Sequence, residues 1–176
     1  MKRLAIGLMM FVAVPAIAQT GAVNTGVASA RDVWNGMTQN IIKSAEQMPE
    51  ADYAFKPVAT VRSFGELVGH VAGAQYMFCA MAVGDPPRAE ADIESTVKTK
   101  AGLVEALKAS TEYCKKAYAQ TDAAAAAALK VFGQDQNRMY ALTLNAAHNA
   151  EHYGNIVTYL RMKSMVPPSS APRGGQ

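Results

Sequence analysis

The sequence predicts an all-α protein built as a four-helix bundle, with a long crossover between its second and third helices. Four long segments carry apolar residues at helical spacing, and alternating strand patterns are almost absent. The 176 residues suit one domain, which can bury a core without support from a metal ion. We expect this domain to occupy residues 29–168.

Residues 1–18 are predicted to be a signal peptide. Lys2 and Arg3 precede an apolar run that is short for a membrane span, and Ala16 and Ala18 form an A-x-A cleavage pattern. This signal would direct export to the periplasm or the medium, with cleavage after Ala18. An uncleaved N-terminal anchor is the less favoured alternative.

The charge balance excludes polyanionic partners. The full chain has 17 Lys and Arg against 14 Asp and Glu, so loss of Lys2 and Arg3 leaves a formal net charge of +1. No basic stripe remains to attract nucleic acid or anionic lipid. We therefore expect no nucleic-acid partner and no stable membrane span after cleavage, whereas a homodimer is compatible with this composition.

Capping and breaking residues set the helix boundaries. Pro49 ends the first helix, and the run from Ser63 to Glu66 is a capping box that begins the second. Gly84 breaks the chain, and the polar stretch to Lys98 is long enough to cross the end of a bundle. Helices are expected over residues 29–48, 63–83, 99–120 and 136–163, with a short alanine-rich helix over 123–129 capped by Asp122.

Three flanking or connecting segments are expected to lack helix. Residues 19–28 have no apolar periodicity and are predicted to be a flexible lead-in, and residues 169–176 follow two prolines and are predicted to be a disordered tail. Phe132 and Gly133 indicate a turn before the last helix.

The three histidines of the chain form one pattern. His148 and His152 are four residues apart, which places both imidazoles on one face of a helix, and His70 lies on the apolar face of another. A lone histidine on such a face is more often a core residue than a ligand. Because the chain has no other histidine, we favour a three-ligand metal site with an open coordination position.

The two cysteines allow two interpretations. An oxidising compartment would permit a disulfide between Cys79 and Cys114, but two buried, inert thiols are the interpretation that the sequence favours. Cys79 follows His70 by nine residues, about half a turn around the helix. It is therefore not expected to be a nucleophile beside the metal.

Two segments carry a family resemblance. The run SFGELVGH, which ends at His70, is followed some eighty residues later by HNAEHYGNI, which begins at His148, and then by TYLR over 158–161. This arrangement resembles the DinB-like (DinB/YfiT) superfamily of metal-binding four-helix bundles over about Arg31 to Pro168. The resemblance implies a divalent metal ion, usually zinc or nickel, held by His70, His148 and His152. It also implies a small-molecule substrate or ligand, such as a thiol.

Two features depart from the family pattern. Asn155 stands where many relatives have glutamine, which leaves the three ligands intact. The export signal is the larger departure, because relatives with assigned thiol chemistry are mostly intracellular.

Glu151 is a candidate general base, or a residue that orients the ligand next to it. It points about 100° away from His152 around the helix, so a solvated surface glutamate is an equally good interpretation. The sequence from His148 to His152 also fits the H-x-x-E-H motif of inverted zincin peptidases. Those enzymes take an acidic ligand downstream, and no Asp or Glu follows Glu151, so we do not favour a peptidase.

Two functions from different classes agree with these residues. The first is an exported metal-dependent enzyme, either a thiol transferase or a small-molecule hydrolase, in which the ion lowers the pKa of a bound water or thiol. The second is a non-catalytic metal- or ligand-binding module in stress response. A cavity at the metal with converging polar groups would favour the enzyme.

Overall fold

The structure is a computed structural model that describes residues 26–172. The predicted signal peptide over 1–18, residues 19–25 of the lead-in and residues 173–176 of the predicted disordered tail therefore lie outside the described residues. Within them, no helix combines the length and the apolar character needed to cross a membrane. The chain is mostly helical, with helices α1 (Gly26–Gln47), α2 (Phe64–Val83), α3 (Ala91–Thr96), α4 (Lys100–Lys115), α5 (Asp122–Ala125) and α6 (Arg138–Met162).

The four long helices pack around shared apolar cores. Helix α1 packs on α6, α6 packs on α2, and α2 packs on α4, while α4 also touches α1. One core cluster is centred on Ile41, Phe64 and Leu107, and the other surrounds Trp34 and Leu142. These interiors leave the polar faces of the helices in solvent, as the apolar periodicity predicted.

The predicted capping box begins helix α2. The Ser63 hydroxyl accepts a hydrogen bond from the Glu66 amide at 3.2 Å, and the Glu66 carboxylate accepts one from the Ser63 amide at 2.7 Å. At the other end Gly84 has a φ of 80°, a left-handed conformation that favours glycine, and its amide bonds to the last turn. Both limits of this helix are therefore confirmed.

Helix α1 begins earlier than the sequence predicted. Asp122 was expected to cap the alanine-rich helix, but Thr121 has that position, and the Asp122 carboxylate instead accepts hydrogen bonds from the amides of Gly26 and Val27 at 2.9 and 2.8 Å. A carboxylate at a helix N-terminus satisfies free amides and the helix dipole. The end of the predicted lead-in is therefore helical.

A two-stranded hairpin replaces the end of the predicted alanine-rich helix and the start of the predicted last helix. Strand β1 (Ala128–Val131) pairs antiparallel with β2 (Gln134–Asn137), so α5 is short and α6 begins at Arg138. Phe132 and Gly133 form the predicted turn, both with positive φ, as a two-residue hairpin turn of type I′ requires. These strands have few β-branched residues and no clean alternation, which is why the pattern missed them.

Cys79 and Cys114 form a disulfide between α2 and α4. The expectation of two free thiols was wrong. Both side chains are fully buried, as the sequence predicted, but burial does not distinguish a thiol from a disulfide. The packing of α2 against α4 brings the two Cα atoms within 5.3 Å, a separation that a disulfide requires.

The third long helix and the C-terminal segment also differ from the predicted bounds. Helix α4 ends at Lys115, and a separate 3-10 turn covers Ala117–Ala119. After α6, Pro168–Ser170 form another 3-10 turn, and the Ser169 amide donates to the Tyr153 hydroxyl at 2.9 Å. The first residues of the expected disordered tail therefore pack on the fold.

Candidate metal centre

Helices α2 and α6 bring the three histidines together. The Nε2 atoms of His70, His148 and His152 lie 3.0–3.1 Å from one another. His70 and His152 are buried, and His148 is partly buried. The grouping predicted from the sequence is therefore present, and these three side chains could hold a metal ion.

Burial keeps the three imidazoles neutral. Together with the charges of Arg62 and His152 it lowers the pKa of His70 to about 4, and together with the charges of its neighbours it lowers the pKa of His148 to about 3. The pKa of His152 is also lowered, mainly by burial. Neutral imidazoles have the lone pairs that a metal ion needs.

The arrangement of the nitrogens fits a cation. Three Nε2 atoms converge at hydrogen-bond distances, and a triangle of neutral imidazoles cannot place a proton on every edge. A divalent ion bound by all three lone pairs would remove this conflict, with each proton on Nδ1. Bonds of about 2.0–2.1 Å in a tetrahedral site place neighbouring ligand atoms about 3.3 Å apart, close to the separations seen here.

Polar side chains lie next to the outer nitrogens of two of the rings. The Asn155 side-chain amide nitrogen lies 3.3 Å from Nδ1 of His152, and with the amide rotated by 180° its oxygen can accept a hydrogen bond from the N–H at that position. Nδ1 of His70 is 3.5 Å from a carboxylate oxygen of Glu94. That nitrogen has no direct hydrogen bond, so the Glu94 contact is electrostatic. Asn155 thus occupies the outer position expected for it.

Two acidic residues at the site were not predicted from the sequence. Glu90 and Glu94 lie in the crossover, which was treated as a connection only. One carboxylate oxygen of Glu90 is 3.5 Å from Nε2 of His70 and 3.7 Å from Nε2 of His148. Burial raises the pKa of Glu90 above its usual value. The signal in the sequence was Gly69 and Gly73, small residues beside His70 that permit close packing of another segment.

Two glycines on α2 allow the crossover to pack closely against this helix. A Cβ atom at Gly73 would lie 1.8 Å from the Glu90 carbonyl oxygen, and one at Gly69 would lie 2.9 Å from Cα of Glu94. Both distances are far below van der Waals contact, so the backbone approaches the helix only because these positions lack side chains. The crossover thereby carries two carboxylates to either side of His70.

A cavity of about 710 Å³ opens beside His152. Glu151 lies on its wall, exposed to solvent, so this residue faces the space next to the metal centre although it is not in the group of three. The Tyr159 hydroxyl, also on the wall, donates to the Arg62 carbonyl oxygen at 2.7 Å. The polar lining includes Lys56, Arg62, Glu94, Glu151, Asn155 and Tyr159.

A buried polar network holds the helices that carry the histidines. The Gln75 side chain accepts from the indole of Trp34 at 2.8 Å and donates to Ser110 at 3.0 Å. Asn149, next to His148, donates to Thr38 at 2.9 Å. These bonds connect α1, α2, α4 and α6 below the centre. Buried polar groups with partners fix the register of neighbouring helices, so the network positions the imidazoles.

The chain resembles known proteins in sequence pattern and in fold. The family model described as DinB superfamily matches residues 34–156, whereas no curated protein matches the chain. A DinB-like protein from Bacillus cereus ATCC 10987 is similar in fold, with a TM-score of 0.68, 12% identity, and coverage of 79% of this chain and 93% of the other.

Two further solved structures have this fold. A DinB-like protein from Bacillus subtilis has a TM-score of 0.65 at 21% identity, with 82% of this chain and 99% of the other covered. A mycothiol-dependent maleylpyruvate isomerase has a TM-score of 0.62 at 13% identity, and this chain covers 65% of its length. At these identities the likeness concerns the fold alone. The family match and the fold together show that this chain belongs to the DinB superfamily.

Proposed function

We propose that this protein is an exported enzyme that binds one divalent metal ion, zinc or nickel, through His70, His148 and His152. The reaction we infer is transfer of a thiol or hydrolysis of a small molecule. One observation carries the proposal: three neutral imidazoles converge, and one of them, His152, lines a cavity large enough for a small substrate.

The roles of the side chains follow from their positions. When bound, the metal would act as a Lewis acid that lowers the pKa of a water or thiol in its open position. The three histidines hold the ion and, being neutral, leave its charge undiminished. Asn155 orients the ring of His152 from behind. Glu151 stands on the cavity wall, where it can accept a proton from a bound nucleophile.

The cavity favours a small polar substrate. Its lining contains side chains of both charges, including the Arg62 guanidinium, which pairs with Glu94 at 2.9 Å. A similar fold belongs to a mycothiol-dependent isomerase, and this supports a thiol as the ligand class. The small-molecule partner is therefore proposed from the cavity and from that likeness together.

Three further parts of the proposal concern the whole molecule. The buried Cys79–Cys114 disulfide supports export, because disulfides persist mainly in oxidising compartments. The closed set of contacts among the four long helices supports a four-helix bundle with a long crossover. A homodimer stays a prediction, and the molar mass of the purified protein in solution tests it.

A non-catalytic metal-binding module is the second candidate. It is favoured by Glu90, whose carboxylate lies within 3.7 Å of two of the metal-facing nitrogens. A protein carboxylate that stays permanently on the ion would close the position that a substrate needs. The two candidates differ in whether an external thiol or water can reach the metal.

The test begins with metal analysis of protein purified without a histidine tag. We expect about one ion per chain, and alanine at any of the three histidines should weaken binding strongly while helix content stays near wild type. Full occupancy in the His70→Ala variant would show that the three do not act as one site.

A substrate screen then separates the two candidates. Thiol-transfer and hydrolase substrates are offered to the metal-loaded protein and to its Glu151→Gln variant. If Glu151 is the base, turnover should fall by 10² or more with metal affinity nearly intact, since general acid–base catalysis typically contributes about 10² to 10⁴. Wild-type turnover in Glu151→Gln would remove Glu151 from the mechanism. No turnover in any preparation would favour the binding module.

A further inference from the structure

We propose that Glu90 is a fourth protein ligand of the metal ion, so that the crossover completes a centre of three histidines and one carboxylate. This inference rests on the proposed metal site and adds to it a ligand from the segment between α2 and α4. In this proposal the crossover supplies a carboxylate that binds the ion.

The distances support ligation by this oxygen. The same oxygen of Glu90 is 3.5 Å from Nε2 of His70 and 3.7 Å from Nε2 of His148. These are close to the separation of about 3.3 Å between neighbouring ligands of a tetrahedral zinc ion. The oxygen therefore lies next to two of the three nitrogens that face the proposed ion, those of His70 and His148.

The position of Glu94 provides a contrast within the same segment. Its carboxylate is also 3.5 Å from His70, but from the outer nitrogen Nδ1. Glu94 also pairs with Arg62 at 2.9 Å, so a cation already compensates its charge. Glu90, in contrast, faces the inner nitrogens, where a divalent cation would compensate it.

The backbone of Glu90 is tightly packed, whereas its side chain is partly exposed. Its carbonyl oxygen packs against α2 at Gly73, and a Cβ atom added at Gly73 would lie 1.8 Å from that oxygen. Its side chain is 37% exposed. A tightly packed backbone with a partly exposed carboxylate suits a ligand that a substrate can displace, so ligation by Glu90 is compatible with an enzyme.

The first experiment compares Glu90→Gln with Glu94→Gln. Zinc affinity is measured by competition with a chelator, and coordination is followed by the visible spectrum of the Co²⁺-loaded protein. We expect Glu90→Gln to weaken zinc binding by about 10- to 100-fold, a range typical for loss of even an outer partner of a metal ligand. It should also change the Co²⁺ spectrum. Glu94→Gln should keep the wild-type spectrum.

The second experiment displaces the backbone of the crossover while Glu90 itself stays unchanged. Gly73→Ala should displace the crossover and weaken zinc binding in the same direction as Glu90→Gln. Gly36→Ala is the matched control, because a Cβ at Gly36 meets nothing within 4 Å. Helix content, measured by circular dichroism, confirms that each variant folds.

The outcomes separate this inference from the proposed function. If wild-type protein binds zinc through the histidines but Glu90→Gln has unchanged affinity and an unchanged Co²⁺ spectrum, only the role of Glu90 is overturned. A spectrum altered by Glu94→Gln and not by Glu90→Gln overturns it as well. If the wild-type protein binds no zinc or Co²⁺, both proposals fail.

Discussion

The disulfide offers a quantitative test of how this fold is stabilised. Cys79 and Cys114 are separated by 35 residues and connect α2 to α4. In the chain-entropy model, closing a loop of that length in the unfolded state stabilises the native state by about 4 kcal/mol at 25 °C. Reduction of this single bond should therefore lower the free energy of unfolding by about that amount.

The assay follows unfolding in urea with the protein oxidised and with it reduced. Trp34, the one tryptophan of the chain, is 3% exposed and stacks on Tyr118 with ring centroids 4.4 Å apart. Its fluorescence will therefore report loss of the core near the disulfide. The corresponding decrease in melting temperature should be roughly 8–16 °C, from about 2–4 °C per kcal/mol for a domain of this size.

Reduction is the preferred perturbation because it keeps both sulfur atoms. A Cys79→Ala, Cys114→Ala double variant also removes buried atoms, so its additional loss of stability would measure packing. A difference below about 1 kcal/mol between oxidised and reduced wild type would refute the loop-entropy argument. Metal stoichiometry should be equal in the two forms, because neither cysteine belongs to the histidine group.

Three other predictions follow from the capping box, the histidines and the N-terminal sequence. Ser63→Ala should lower the free energy of unfolding by about 1 kcal/mol, since the Glu66 amide loses its partner, and an unchanged urea midpoint would argue against the cap. The depressed pKa values of His70 and His148, about 4 and about 3, mean that, as the pH falls, the unfolded metal-free chain binds protons before the folded protein does. The free energy of unfolding of the metal-free protein should be at its full value above pH 6.5. It should decline towards pH 4 by up to about 1.4 kcal/mol per pH unit for each of the two histidines, whereas equal urea midpoints at pH 7 and pH 5 would contradict this. Mature protein from the periplasm or the medium should begin near Gln19, and an intact mass that retains Met1 in a membrane fraction would contradict cleavage.

Local patterns in the sequence determined most of the helical framework. The Ser63 to Glu66 capping box and Gly84 fixed both ends of α2, because caps act on backbone groups within one turn. The four-residue spacing of His148 and His152 placed two imidazoles on one face of α6, since helical geometry is regular. The grouping of all three histidines could be predicted because the chain has no other histidine, and the family resemblance implied the same three ligands.

Contacts between distant segments were decided only by the tertiary structure. Asp122 binds the amides of Gly26 and Val27, the first described residues of α1, from 95 or more residues away. The disulfide depended on how closely α2 and α4 pack, which periodicity does not specify. Glu90 reached the centre because Gly73 admits its backbone. Each of these is a relation through space between segments whose own patterns were uninformative, and such relations exist only once the helices have packed.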